Sequence, residues 1–154
     1  MEQRDVPGSA VTILIAEDDD GHAALVRRNL ERAGFANAFA RTHDGAETLS
    51  WIAERFARQG PSAARSLVLL LDINMPIVDG LQVLRQLKQD PSTALIPVIV
   101  VTTTDNPEEI DRCYQLGCNI YVTKPVMYEA FVDAIKRLGL FLQVVRVPSG
   151  VEPR

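Results

Sequence analysis

The strongest constraint on this chain is an alternation. Five short apolar runs are each followed by a stretch in which apolar residues recur every three or four positions. Val11 to Ala16 (VTILIA) is almost continuously apolar, as a strand buried on both faces must be. Ala23, Val26, Leu30 and Ala33 then share one helical face, and Gly34 stands where a C-cap belongs. Phe35 to Ala40 reads as a weaker strand, and Asp44 as the cap of a helix facing inward with Ala46, Leu49, Ala53 and Phe56. Gly60-Pro61 ends that stretch. Leu67 to Leu71 is the clearest strand, followed by Leu81, Leu84 and Leu87 at helical spacing up to Asp90-Pro91. Pro97 to Val101 makes a fourth strand, and a helix opened by Pro107 runs to Gly117. Ile120 to Val122 is a short fifth strand, and a last helix carries Phe131, Ile135, Leu138 and Leu142.

Strands that alternate with helices imply an α/β fold with a parallel sheet and helices on both faces. Right-handed crossovers leave few topologies. For a chain of 154 residues, the flavodoxin-like doubly wound sheet in the order 2-1-3-4-5 fits, an order taken from known folds of this kind. Residues 1–10 read as a loose tail, 11–140 as one domain, and 141–154 as a C-terminal extension. Ligands of such sheets bind beyond the carboxyl ends of the strands, where strand order reverses, here between strands 1 and 3.

Three acids fall at that point. Glu17 and Asp18 follow strand 1, and Asp72 follows strand 3. Neighbouring strands lie ~4.8 Å apart, so these carboxylates crowd one another and repel. A hard cation with oxygen ligands relieves that repulsion, and Mg²⁺ binds through one or two carboxylates beside a phosphate. The plainer alternative is a solvated loop and helix caps, the role assigned to Asp19 and Asp20. Thr102 closes strand 4 with a hydroxyl donor, and Lys124 follows strand 5 with a cation on a flexible stem. Phosphoryl transfer needs positioning and charge neutralisation, which this set supplies, with Asp72 as the nucleophile forming an acyl phosphate. Trp51 and Phe56 read as core, and His22 and His43 as surface.

The totals exclude other classes. A formal charge of −4 provides no basic face for nucleic acid. No apolar run approaches the roughly 18 residues of a membrane span, and MEQRDVPGSA has no apolar core of a signal peptide. Cys113 and Cys118 form neither a disulfide framework nor a zinc pattern, which fits a reducing, cytoplasmic setting.

Glu17-Asp18, Asp72 in LLLDINMPIVDG, Thr102 and Lys124-Pro125, in that order, resemble the CheY-like receiver domain of two-component response regulators. The resemblance implies that Asp72 takes a phosphoryl group from a histidine kinase. It also implies that Asp18, Asp72 and the Asn74 carbonyl bind Mg²⁺, with Glu17 acting through water. Thr102 would be the switch hydroxyl and Lys124 the phosphate-pairing lysine, with a cis peptide to Pro125. Tyr121 would be the rotameric switch aromatic, and Asn74 and Thr104 would tune phosphoryl lifetime. Phosphorylation would then shift the population of the surface made by helix 4, strand 5 and helix 5.

The apolar ending GLFLQVVRVPSGVEPR, the insertion at Ala57 to Ser66 and the Thr102–Thr104 run are similar to small regulators paired with bacterial phytochromes. This likeness implies a homodimer through helix 4, strand 5, helix 5 and the C-terminal extension, and action by contacts alone. Two other functions compete. A haloacid-dehalogenase-like phosphatase also uses an Asp nucleophile with Mg²⁺, but wants an acid where Asn74 stands and its nucleophile on the first strand. A degenerate receiver would be a constitutive binding module, against which the intact acidic set speaks.

Overall fold

The computed structural model describes residues 11–32, 38–103, 105–124, 129, 130 and 133. Strands β1 (Thr12–Ala16), β2 (Ala38–Thr42), β3 (Leu67–Leu71), β4 (Val98–Thr102) and β5 (Ile120–Thr123) form one sheet. All neighbours are parallel, in the order β2-β1-β3-β4-β5, which is the predicted 2-1-3-4-5. Helices α1 (Asp20–Arg32), α2 (Gly45–Gln59), α3 (Gly80–Gln89) and α4 (Pro107–Leu116) connect them, with a 3-10 helix at Gly60–Ser66 before β3.

The two-residue period of a strand splits the core in two. Ile13, Ile15, Val68, Leu70, Ile99 and Val101 pack with Ala23, Val26 and Leu30 of α1. Leu14, Ala16, Leu69, Leu71, Val98 and Val100 pack on the other face with Ile52, Val83, Leu84 and Cys113 of α2, α3 and α4. Every residue of β1, β3 and β4 is buried, which is why these strands read as unbroken apolar runs.

Two expectations need correction. The second strand, Ala38–Thr42, runs two residues past the end of the predicted Phe35 to Ala40, whose first three residues lie outside the described ones. It is an edge strand, only Thr42 is buried, and apolar pattern is a poor guide there. Helix α2 also faces inward through Gly45, Thr48, Ile52 and Arg55, about 100° around from the predicted stripe, and Ala53 is exposed. Polar side chains turn in because they find partners. The Thr48 hydroxyl bonds the Asp44 carbonyl at 2.8 Å and the Thr42 hydroxyl at 2.6 Å. Arg55 donates to the Ser66 carbonyl at 3.2 Å and lies 5.4 Å over the Trp51 ring. Trp51 and Phe56 are half-buried at the margin of that core.

Asp44 does cap α2, accepting the Glu47 N–H at 2.7 Å. Gly117 ends α4 in the left-handed conformation at φ 109°. The N-terminal tail, the Gly34 cap, Thr104, the bond to Pro125, the apolar residues of the last helix and the C-terminal extension lie outside the described residues.

Candidate functional site

Register brings the site together. Ala16 of β1 pairs with Leu71 of β3, so the next residues, Glu17 and Asp72, emerge side by side at the carboxyl edge. The Asp72 N–H donates to the Ala16 carbonyl at 3.0 Å and holds that register one residue past the strands. Glu17 and Asp72 are buried and Asp18 is exposed. Oxygen atoms of the three carboxylates lie within 4.8 Å of one another.

The turn after β3 is forced by close packing. A Cβ on Gly80 would lie 2.3 Å from the Asp72 carbonyl oxygen and 2.6 Å from Ile73 Cα, so only glycine fits. The Gly80 N–H donates to the Ile73 carbonyl at 2.8 Å and closes the loop onto its own start. Asp79 caps α3 in a reciprocal capping box with Gln82. Within this loop Ile77 adopts φ 73°, a left-handed conformation strained for a β-branched residue.

On the other side of β1, Asp19 caps α1, accepting the His22 N–H at 2.8 Å. That hydrogen bond holds its carboxyl below the usual aspartate value. Arg41 of β2 donates to the Glu17 carbonyl at 3.0 and 2.8 Å and to Asp20 at 2.6 Å. Arg41 fixes the β1–α1 turn, a role that no sequence pattern announced.

Lys124, just past β5, points into the carboxylates, with its side chain 8% exposed. Its Nζ lies 2.5 Å from Glu17 Oε1 and 3.2 Å from Asp72 Oδ2. Burial alone would lower its pKa; the Glu17 hydrogen bond and the charges of Asp72 and Glu17 outweigh that and raise it. The lysine also reaches His22 Nδ1 at 3.1 Å. His22, read as surface from the sequence, therefore stands at the rim of the site. Only the fold could show this, since 102 residues separate the pair.

Thr102 and Asn74 meet more loosely. Thr102 is fully buried, and its hydroxyl accepts from the Asn74 amide at 3.4 Å, while the Asn74 N–H donates to Asp72 Oδ1 at 3.2 Å. Tyr121 lies on β5, three residues before Lys124. It is half-buried against the core under α4, and burial pushes its phenol up to about 12. Its backbone N–H, on the edge strand, donates to the Tyr114 hydroxyl of α4 at 3.2 Å.

The donor set suits a hard divalent cation. All three carboxylates offer oxygen, and an ammonium already bridges two of them.

The model of the response regulator receiver domain matches residues 13–136. The chain belongs to the response regulator receiver family. As a receiver it is a phosphoacceptor signalling protein, which sets aside the phosphatase alternative. FilR2, a probable methanogenesis regulatory protein of Methanothrix harundinacea, is 34% identical over 128 residues, covering 82% of this chain and 79% of that protein. Among solved structures, a receiver domain from Rhodospirillum rubrum is 45% identical with a TM-score of 0.68, covering 90% of this receiver and 97% of that chain. The bacteriophytochrome response regulator RtBRR is 33% identical with a TM-score of 0.76, covering 92% and 85%. A Mn²⁺-bound form of the response regulator Rcp1 is 30% identical with a TM-score of 0.63, covering 90% and 99%. Receiver domains imply a histidine kinase partner. Among the described residues, no helix is long and apolar enough to cross a membrane.

Proposed function

We propose that Asp72 accepts a phosphoryl group from the phosphohistidine of a sensor histidine kinase, in a reaction that depends on Mg²⁺. The observation that carries this reading is the meeting of Glu17, Asp18 and Asp72 oxygens within 4.8 Å, with Lys124 across them. An Asp72 carboxylate oxygen attacks phosphorus, the phosphorus–nitrogen bond breaks, and its electron pair leaves with the kinase imidazole. Lys124 pairs with the negative phosphoryl oxygens, and Thr102 turns its hydroxyl from Asn74 towards them. Asp18, Asp72 and the Asn74 carbonyl would hold Mg²⁺, with Glu17 through water. The bound ion supplies charge neutralisation for the transferred group.

Tyr121 is proposed as the aromatic that follows Thr102 inward, and Asn74 and Thr104 as the positions that set phosphoryl lifetime. Likeness to RtBRR supports a bacterial phytochrome as the kinase and a homodimer through α4, β5, the last helix and the 141–154 extension.

Incubation with acetyl phosphate and Mg²⁺, followed by intact mass, tests the acceptor. A phosphoryl adduct should form in wild type and vanish in Asp72→Asn; an undiminished adduct in that variant would remove Asp72 from the role. For the dimer, truncation after Leu138 should leave a monomer by light scattering. A dimer persisting unchanged would exclude the extension from the interface.

A further inference from the structure

We propose that His22 is a positioning residue for Lys124, an inference that rests on the phosphoacceptor reading above. Lysine has three donors on a flexible four-carbon stem. Here they meet three acceptors: Glu17 Oε1 at 2.5 Å, Asp72 Oδ2 at 3.2 Å and His22 Nδ1 at 3.1 Å. Two of these belong to the reacting cluster. Asp72 loses carboxylate character when its oxygen becomes an acyl phosphate, so that bond must be remade during the reaction. The imidazole is chemically unchanged throughout, and it keeps one hold on the ammonium while the other partners are exchanged.

His22 is itself well anchored. It is the third residue of α1, its N–H is bonded to Asp19 Oδ1 at 2.8 Å, and the Ala23 N–H is bonded to the Asp19 carbonyl at 3.0 Å. Its Nδ1 lies 3.9 Å from Glu17 and 4.0 Å from Asp19, too far for hydrogen bonds, which leaves Lys124 as its partner within range among the described residues. Accepting from an ammonium through Nδ1 requires the tautomer with its proton on Nε2. The ring is half exposed while the lysine side chain is buried.

The test is the rate of adduct formation from acetyl phosphate and Mg²⁺ in the full chain, as a function of acetyl phosphate concentration. A misplaced charge in a phosphoryl-transfer site costs heavily, so His22→Ala should lower the maximal rate about tenfold. His22→Asn, whose Oδ1 replaces the Nδ1 acceptor, should restore most of it. In a Lys124→Ala background, His22→Ala should add nothing, because its effect runs through the lysine. The ¹⁵N signal of the Lys124 ammonium should be sharp in wild type and His22→Asn and exchange-broadened in His22→Ala. A His22→Ala rate equal to wild type, an Asn variant no better than Ala, or a further loss on top of Lys124→Ala would each overturn the proposal. A wild type that forms no adduct at all would instead overturn the phosphoacceptor reading, and this inference with it.

Discussion

The two sides of the site are held with different firmness. On the acid side, Glu17 and Asp72 continue paired strands, glycine packing leaves the β3–α3 turn no space, and the Gly80 N–H closes the loop at 2.8 Å. On the flank of β4, β5 and α4 the backbone is as well paired, with the Lys124 N–H donating to the Thr102 carbonyl at 2.8 Å, but the side-chain ties are looser: the Thr102 hydroxyl meets the Asn74 amide at 3.4 Å, and the Tyr114 hydroxyl of α4 meets the edge strand at 3.2 Å. A phosphoacceptor needs that asymmetry. In the mechanism proposed here, the acids that position the reaction must not move, whereas the hydroxyl and the surface proposed to report it must be cheap to displace.

The comparison can be broken first on its rigid side. Gly80→Ala places a Cβ 2.3 Å from the Asp72 carbonyl oxygen, with backbone rather than a flexible side chain in the way. Denaturant unfolding should show a loss of about 3 kcal/mol, together with a collapse of adduct formation. A loss under about 1 kcal/mol would mean that the turn is far more pliable than its packing implies.

Alkali probes the other flank. Burial pushes the Cys113 thiol up to about 11 and the Cys118 thiol up to about 12. Above pH 9 the unfolded chain sheds these protons while the native chain keeps them, so stability falls as pH rises from 9 towards 11 and 12. Urea midpoints should decline steadily across that range, and less steeply in Cys118→Ala. Equal slopes in the two proteins would acquit that thiol.

A smaller effect of opposite sign is expected at Ile77, which holds φ 73° with its side chain 79% exposed. Ile77→Gly should raise stability by about 1 kcal/mol, strain relief exceeding the entropy cost of glycine. An unchanged or lower melting temperature would show that the conformation carries no strain. Smallest of all, Tyr114→Phe removes one hydrogen bond at an exposed edge and should cost under about 1 kcal/mol. Amide exchange at Tyr121 should nevertheless quicken, and unaltered exchange would mean that the hydroxyl does not hold the strand.

Most of this was legible in the sequence because the central strands are buried on both faces and admit only apolar residues. β3 could be bounded to the residue, and the acids directly beyond β1 and β3 could be paired without coordinates. Legibility failed where burial is partial or partners are remote. β2 is an edge strand with one buried residue, and its apolar pattern stopped two residues short of its end. The inner face of α2 is partly polar, since Thr48 and Arg55 turn inward to hydrogen-bond partners outside the helix. Arg41 and His22 act at the site through contacts with distant segments, which no local spacing encodes.

The central claim is tested most directly by diffraction from crystals soaked in Mn²⁺, a scattering substitute for Mg²⁺ at oxygen ligands. A single anomalous peak bonded to the Asp18 and Asp72 carboxylates, with Lys124 moved off Glu17, is the predicted result. No peak at that sheet edge, with Lys124 still bridging Glu17 and Asp72, would contradict it.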